Sequence, residues 1–165
     1  MSFTDHAKPS IEGDFSITVR NRSGDIVYTH RDSNLVVTQS KHILSYLLAG
    51  DTTKFITKIA LGNNSSTPVP DNTSISGIVT TSLSMGNRIS GTNIIAYVKP
   101  LEANFFPAFG EVTFHWTLDY EEANGLELCE FGLLSADHNL FARKTRGIIT
   151  KQSDLAMEGS WRIIF

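Results

Sequence analysis

The residue types able to do covalent or metal chemistry are few in this chain, and their spacing does not bring them together. There is one cysteine, Cys129, and there are five histidines, His6, His30, His42, His115 and His138. A thiol nucleophile needs a neighbouring base and a positive surround, whereas Glu127 and Glu130 lie close to Cys129 and would hold its proton on. Cys129 is therefore expected to be a small apolar strand residue. The histidines sit in separate segments and no two share metal-ligand spacing on one element, so no metal site is expected. His115 falls within Val112-Thr113-Phe114-His115-Trp116-Thr117-Leu118. Alternation places it with Thr113 and Thr117 on an outer, solvated face, opposite Val112, Phe114, Trp116 and Leu118.

Glu121, Glu122, Glu127 and Glu130 could supply the carboxylate pair of a glycoside hydrolase. Yet Tyr120-Glu121-Glu122-Ala123-Asn124-Gly125 is turn-like and reads as a solvated acidic loop. The stretch Gly62 to Thr73 has no lysine and lacks the strand, GxxxxGK[ST], helix order that wraps a phosphate. The acidic residues do not form the alternating series of a calcium loop either. No catalytic, cofactor-binding or metal-ligating residue is expected, no cofactor is implied, and the chain reads as a non-enzyme.

The elements that would position these side chains are mostly strands. Phe15, Ile17 and Val19 alternate with Ser16, Thr18 and Arg20, and Asn21-Arg22-Ser23-Gly24-Asp25 turns into the β-rich Ile26 to Thr29, an opening hairpin. Met1 to Gly13 ahead of it reads as an N-terminal arm, either mobile or pinned by a neighbouring subunit. One helix is predicted over Ser40 to Ala49. Ile43, Leu44, Leu47 and Leu48 make its apolar stripe, Thr38 to Ser40 offer capping oxygens, and Gly50 stops it. Phe55 to Gly62 follows as a strand, and Asn63 to Thr73, with Pro68 and Pro70, must be a surface loop. The remaining predicted strands are Ile78 to Met85, Asn93 to Val98, Glu111 to Leu118, Leu126 to Leu134, Leu140 to Lys144, Gly147 to Lys151 and Trp161 to Phe165. Many short strands with one helix predict an all-β fold, an antiparallel β-sandwich of jelly-roll-like type, as a single domain over 1–165.

Composition narrows the function classes. The chain has 165 residues, 41% of them hydrophobic, which suits one domain with a real core. Fourteen Lys and Arg against seventeen Asp and Glu leave a net charge of -3, so nucleic acid is not an expected partner. A single cysteine excludes an internal disulfide framework. Met1 to Asp14 has no continuous apolar run, so no secretory signal is expected there, and no later stretch approaches the ~20 apolar residues of a spanning helix, so no membrane partner is expected.

Two stretches resemble structural proteins of tailed-bacteriophage tails, the tail-tip, baseplate, collar and fibre-associated group. The first runs from Asn34-Leu35-Val36-Val37-Thr38 through a helix over Lys41 to Ala49 into Ile56-Thr57-Lys58-Ile59-Ala60-Leu61-Gly62 and the Ser/Thr/Pro/Asp loop Asn63 to Thr73. Its pattern is similar to an "N-x-V-V" strand, a small helix, and "I-x-x-I-x-L-G". The second runs from Glu127 to Arg143, containing an "E-x-G-L" followed by "L-F-A-R", with Ile148 to Lys151 and the closing Trp161 to Phe165. The resemblance implies a virion protein made in the host cytoplasm that assembles with other phage tail proteins, as a homo-oligomer in a ring or trimer. It brings no catalytic residue.

From the residues alone the second stretch is a hairpin about the polar turn Ser135 to Asn139, with Phe131 and Phe141 in the core, so its motif would make the fold and not a binding site. Arg143, Lys144 and Arg146 form a basic cluster that either meets an acidic neighbouring subunit or lies at a solvated strand end. Two functions stay open: an oligomeric structural part of a phage tail, and a receptor- or glycan-binding module of the tail. The second needs a platform of exposed aromatics, and Tyr28, Tyr46, Tyr97, Tyr120, Trp116 and Trp161 mostly fall inside strand or helix patterns, which favours the first.

Overall fold

The computed structural model describes residues 11–75, 87–91, 94–106 and 108–165. Alternation produces the first hairpin as expected. Strand β1 (Glu12–Asn21) turns at Gly24, whose φ of 86° suits a residue without Cβ, into β2 (Ile26–Ser33). Because β1 already starts at Glu12, the last two residues of the expected arm belong to the sheet, and residues 1–10 lie outside the described range. A short β3 (Leu35–Val36) leads to helix α1 (Gln39–Leu48).

The helix forms where the stripe predicts, with two corrections at its ends. Thr38 makes no side-chain cap, and Leu48 is 91% exposed, because the helix docks through Ile43, Leu44 and Leu47 only. Its C-terminus is closed by a Schellman arrangement: Gly50 N–H donates to Leu47 and Asp51 N–H to Tyr46, with Gly50 at φ 90°. Asp51 then caps a 3-10 turn, Thr52–Lys54, through the Thr53 N–H.

The later strands are β4 (Ile56–Gly62), β5 (Asn87–Gly91), β6 (Ile94–Pro100), β7 (Ala103–Phe105), β8 (Glu111–Leu118), β9 (Glu127–Ser135), β10 (Leu140–Thr150) and β11 (Leu155–Ile164). They form two antiparallel sheets, ordered β2-β1-β11-β8-β7 and β3-β10-β9-β4-β6-β5, so the all-β sandwich with one short helix is the fold among the described residues. The predicted strand Ile78 to Met85 lies outside the described residues.

Several strands differ from the sequence reading: β2 runs on to Ser33 past Thr29, β7 (Ala103–Phe105) lies outside every predicted strand, and β10, β11 and β5 also depart from it. Leu140 to Lys144 and Gly147 to Lys151 are one strand, because β10 bulges between Thr145, paired with Glu130, and Ile149, paired with Leu128. Strand β11 begins at Leu155, not Trp161. Gly159 hid this in the sequence, yet it belongs to the inward row: a Cβ there would lie 2.3 Å from the Trp116 indole, which occupies the space. Strand β5 was not anticipated, and it pairs with β6 from Asn87 opposite Val98 to Gly91 opposite Ile94.

The inner faces meet around Phe15 of β1, which packs edge-on against Trp161 at 5.1 Å and against Phe131 of the facing sheet at 4.9 Å. Burying each such aromatic ring contributes about 2 to 3 kcal/mol, within a core that also holds Trp116, Ile59, Leu61 and Leu133. The six-stranded sheet is covered on its outer side as well. Val37, Ala60, Ile75, Val98, Leu134 and Leu140 form a second apolar cluster there, and the segment 63–75 crosses that face as a strap.

Candidate functional site

The residues with chemical potential lie apart. Cys129 is fully buried, and burial together with Glu130 and Glu127 pushes its thiol pKa up, the opposite of an activated nucleophile. His115 projects from the outer face of β8 as alternation requires, but it is half-buried under Phe105, ring stacked on ring at 4.8 Å and 16°. Its Nε2 is shielded and finds no partner among the described residues. Among the described residues no group of three His, Cys, Asp or Glu is placed to hold a metal ion, and no helix is long and apolar enough to cross a membrane.

The acidic turn Tyr120 to Gly125 is not simply solvated. Glu122 accepts from Lys99 at 2.6 Å and from the Asp119 N–H at 2.9 Å. Burial pushes its carboxyl up, and those donors overcome it and leave the pKa below the ordinary value. The neighbouring Tyr97 is buried, and burial with Glu122 raises its phenol to about 12. Beneath the turn, fully buried Lys151 donates to Asn124 Oδ1 and the Gln152 carbonyl, both at 3.0 Å. These contacts anchor a loop. They do not present two carboxylates to a substrate.

Glu130 and Arg143 depart furthest from the sequence reading. Both are buried, and Arg143 Nε donates to Glu130 Oε1 at 2.8 Å. The same guanidinium reaches the strap, donating from Nη1 to the Ser66 carbonyl at 3.1 Å and to Asn72 Oδ1 at 3.2 Å. Arg143 is therefore neither a solvated strand end nor open to a neighbouring subunit's acid. Lys144 pairs with Asp32 at 2.6 Å, and Arg146 lies over Tyr28 at 4.5 Å and donates from Nη2 to its hydroxyl, while its Nε and Nη1 find no acceptor among the described residues. The strap also needs two glycines beneath it: a Cβ on Gly62 would meet Glu130 at 2.5 Å, and one on Gly132 would meet Ile75 at 2.3 Å. The "L-G", "E-x-G-L" and "L-F-A-R" motifs thus meet around one buried ion pair and build the fold.

What the molecule leaves open is an apolar groove at the end of the sandwich where β4 and β8 begin and β11 closes. It holds about 370 Å³. Leu44 and Leu47 of α1 form one wall, Phe55 and Ile56 a second, and Phe106 and Phe165 the rim, with Phe114, Phe141 and Ile163 at the floor. Among the described residues that line it, only Thr57 and Asn104 are polar and none is charged. Phe55 and Phe165 are each 54% exposed, Phe106 is 79% exposed, and Phe109 beside them is fully exposed. An apolar surface of this kind on a monomer marks an interaction site.

The wall that carries Phe55 is held from behind by the β9–β10 turn. The Ala136 N–H donates to the Phe55 carbonyl at 2.8 Å and the Asp137 N–H to Thr53 at 3.1 Å. Lys54, Ser135 and Asn139 all donate to the Asp137 carboxylate. Burial pushes that carboxyl up, but the three donors bring it down to about 2. Sequence reasoning missed the groove because its five phenylalanines come from five separate segments, four of them at the ends or inside predicted strands and Phe106 outside any. The one available signal was the count: ten phenylalanines in the chain, several beside prolines or glycines and outside any alternating run. The chain matches no protein-family model, no curated protein and no solved structure.

Proposed function

We propose that the chain is a non-enzymatic structural subunit of a tailed-phage virion, a tail, baseplate, collar or fibre-attachment part, and that it works as a homo-oligomer joined through its phenylalanine-rich end. The observation that carries the reading is the uncharged groove bordered by exposed phenylalanines. A recess of Leu44, Leu47 and Phe114 beside the projecting ring of Phe109 is a hole and a knob on one chain. That combination is self-complementary and fits a second copy. Fully exposed aromatic side chains are costly in water and are enriched at the centres of protein interfaces. The virion setting is supported by the two segments that resemble tail proteins. The non-enzymatic reading is supported by a buried, raised-pKa thiol and by carboxylates already engaged in structural bonds.

Quantitative mass spectrometry of purified phage particles, from infected cells that express the chain, tests the assignment. The chain should co-purify with the particles in a fixed multiple copy number. Its presence only in the soluble lysate would contradict a virion role.

A further inference from the structure

We infer that the outer face of the five-stranded sheet is a binding cleft for a neutral saccharide chain, a site separate from the phenylalanine-rich end and independent of the virion assignment. The register builds it. On that face Ser16 of β1 is opposite Ser160 of β11, which is opposite His115 of β8; the row on one side is Thr18, Glu158 and Thr117, and the row on the other is Asp14, Arg162 and Thr113. The edge strands carry large side chains, Arg31 on β2 and Phe105 on β7. The short side chains of Ser16 and Ser160, between Arg31 and Phe105 at the edges and Glu158 and Arg162 along β11, leave a dip in the sheet surface. It comprises two connected hollows of about 460 Å³ and 350 Å³ that share Ser16, His115 and Ser160. Each falls in the ~300 to 1,000 Å³ range of small-ligand sites.

The chemistry of the walls selects the ligand class. Ser16 and Ser160 hydroxyls share a 2.7 Å hydrogen bond, which leaves one proton and further lone pairs to pair with the hydroxyls of a sugar. Phe105 is 47% exposed and is backed on one side by the stacked imidazole of His115. That backing fixes an apolar ring at the cleft wall, which suits the C–H face of a pyranose. The arginines around the cleft are all paired, Arg31 with Asp14 at 3.1 Å, Arg162 with Glu111 and with Asp14 at 3.8 Å, and Arg20 with Glu158 at 3.0 Å, while a fourth carboxylate, Glu102, accepts from Thr117 and lies 3.9 Å from Lys99. No positive charge is left over to attract an anion, while carboxylate lone pairs remain to accept from ligand hydroxyls. A hydroxylated, uncharged and partly apolar ligand matches all three features.

The test is an array of neutral, sialylated and sulfated oligosaccharides probed with the full chain and with Phe105→Ala and Ser160→Tyr. Phe105 is exposed on an edge strand, so its truncation leaves the fold intact and thermal denaturation verifies this. The full chain should bind one or more neutral saccharides, with binding unaffected by added salt. Phe105→Ala should weaken it about tenfold, the equivalent of one aromatic stacking contact. Ser160→Tyr, which fills the floor, should abolish it; should that variant not fold, Phe105→Ala alone decides. Failure to retain any neutral saccharide, binding confined to the anionic ones, or full binding by Phe105→Ala would each overturn the proposal.

Discussion

Asp137 shows how a single carboxylate supports the proposed interface. Its folded-state pKa is about 2, below the ordinary value of 3.8, because Lys54, Ser135 and Asn139 outweigh the burial that pushes it up. A carboxyl depressed on folding stabilises the protein above its unfolded pKa, and the contribution disappears as pH falls through the folded value. Asp137→Asn should therefore lower stability at neutral pH by about 1 to 2 kcal/mol. The difference from the parent chain should shrink as pH falls below about 4 and vanish near 2. Denaturant unfolding of both proteins across that pH range checks it. A difference that stays constant with pH would mean that the side chain acts through shape and not charge. At this scale the sequence was partly legible. The raised pKa of Cys129 comes first from burial, which only the fold supplies, and then from the flanking glutamates, which the sequence showed; the outer-face position of His115 followed from alternation. The pairing of Glu130 with Arg143 was not legible, since two charged residues thirteen positions apart acquire a shared interior only when β9 and β10 pair and the strap covers them.

At the scale of elements, the strap is the feature on which the outer face of the six-stranded sheet depends. Arg143 connects Glu130 on β9 to Ser66 and Asn72 on the strap. Removing one member of a buried ion pair leaves the other charge desolvated, and such changes cost about 3 to 5 kcal/mol. Arg143→Met, which keeps much of the apolar stem, should lower stability by that amount. It should also open the strap, so that amides of 63–75 exchange hydrogen faster than those of β1 and β11. Slow exchange in the strap of a destabilised variant would show that Ile75 and the Pro70 carbonyl bond to the Thr38 N–H hold it unaided. The helix and the opening hairpin were readable because one amphipathic stripe and one alternating run each specify a local structure. The continuity of β10 and the early start of β11 were not. Gly147 and Gly159 look like breaks locally, but one sits in a bulge and the other makes room for an indole from β8.

At the scale of the whole molecule, the phenylalanine-rich end is proposed to join copies of the chain. The sandwich itself was readable from the number of short β-rich runs, since period-two alternation and turn residues are local properties. The groove was not, because it exists only once α1, β4, β8 and β11 bring their ends together. Sedimentation equilibrium is the most direct measurement. The parent chain should sediment at a multiple of its 18.2 kDa monomer mass. The double variant Phe106→Asp, Phe109→Asp, altered only at exposed rings, should sediment as a folded monomer, because a buried unpaired carboxylate in the contact costs several kcal/mol. A monomeric parent chain, or an oligomer that survives both substitutions, would contradict the account.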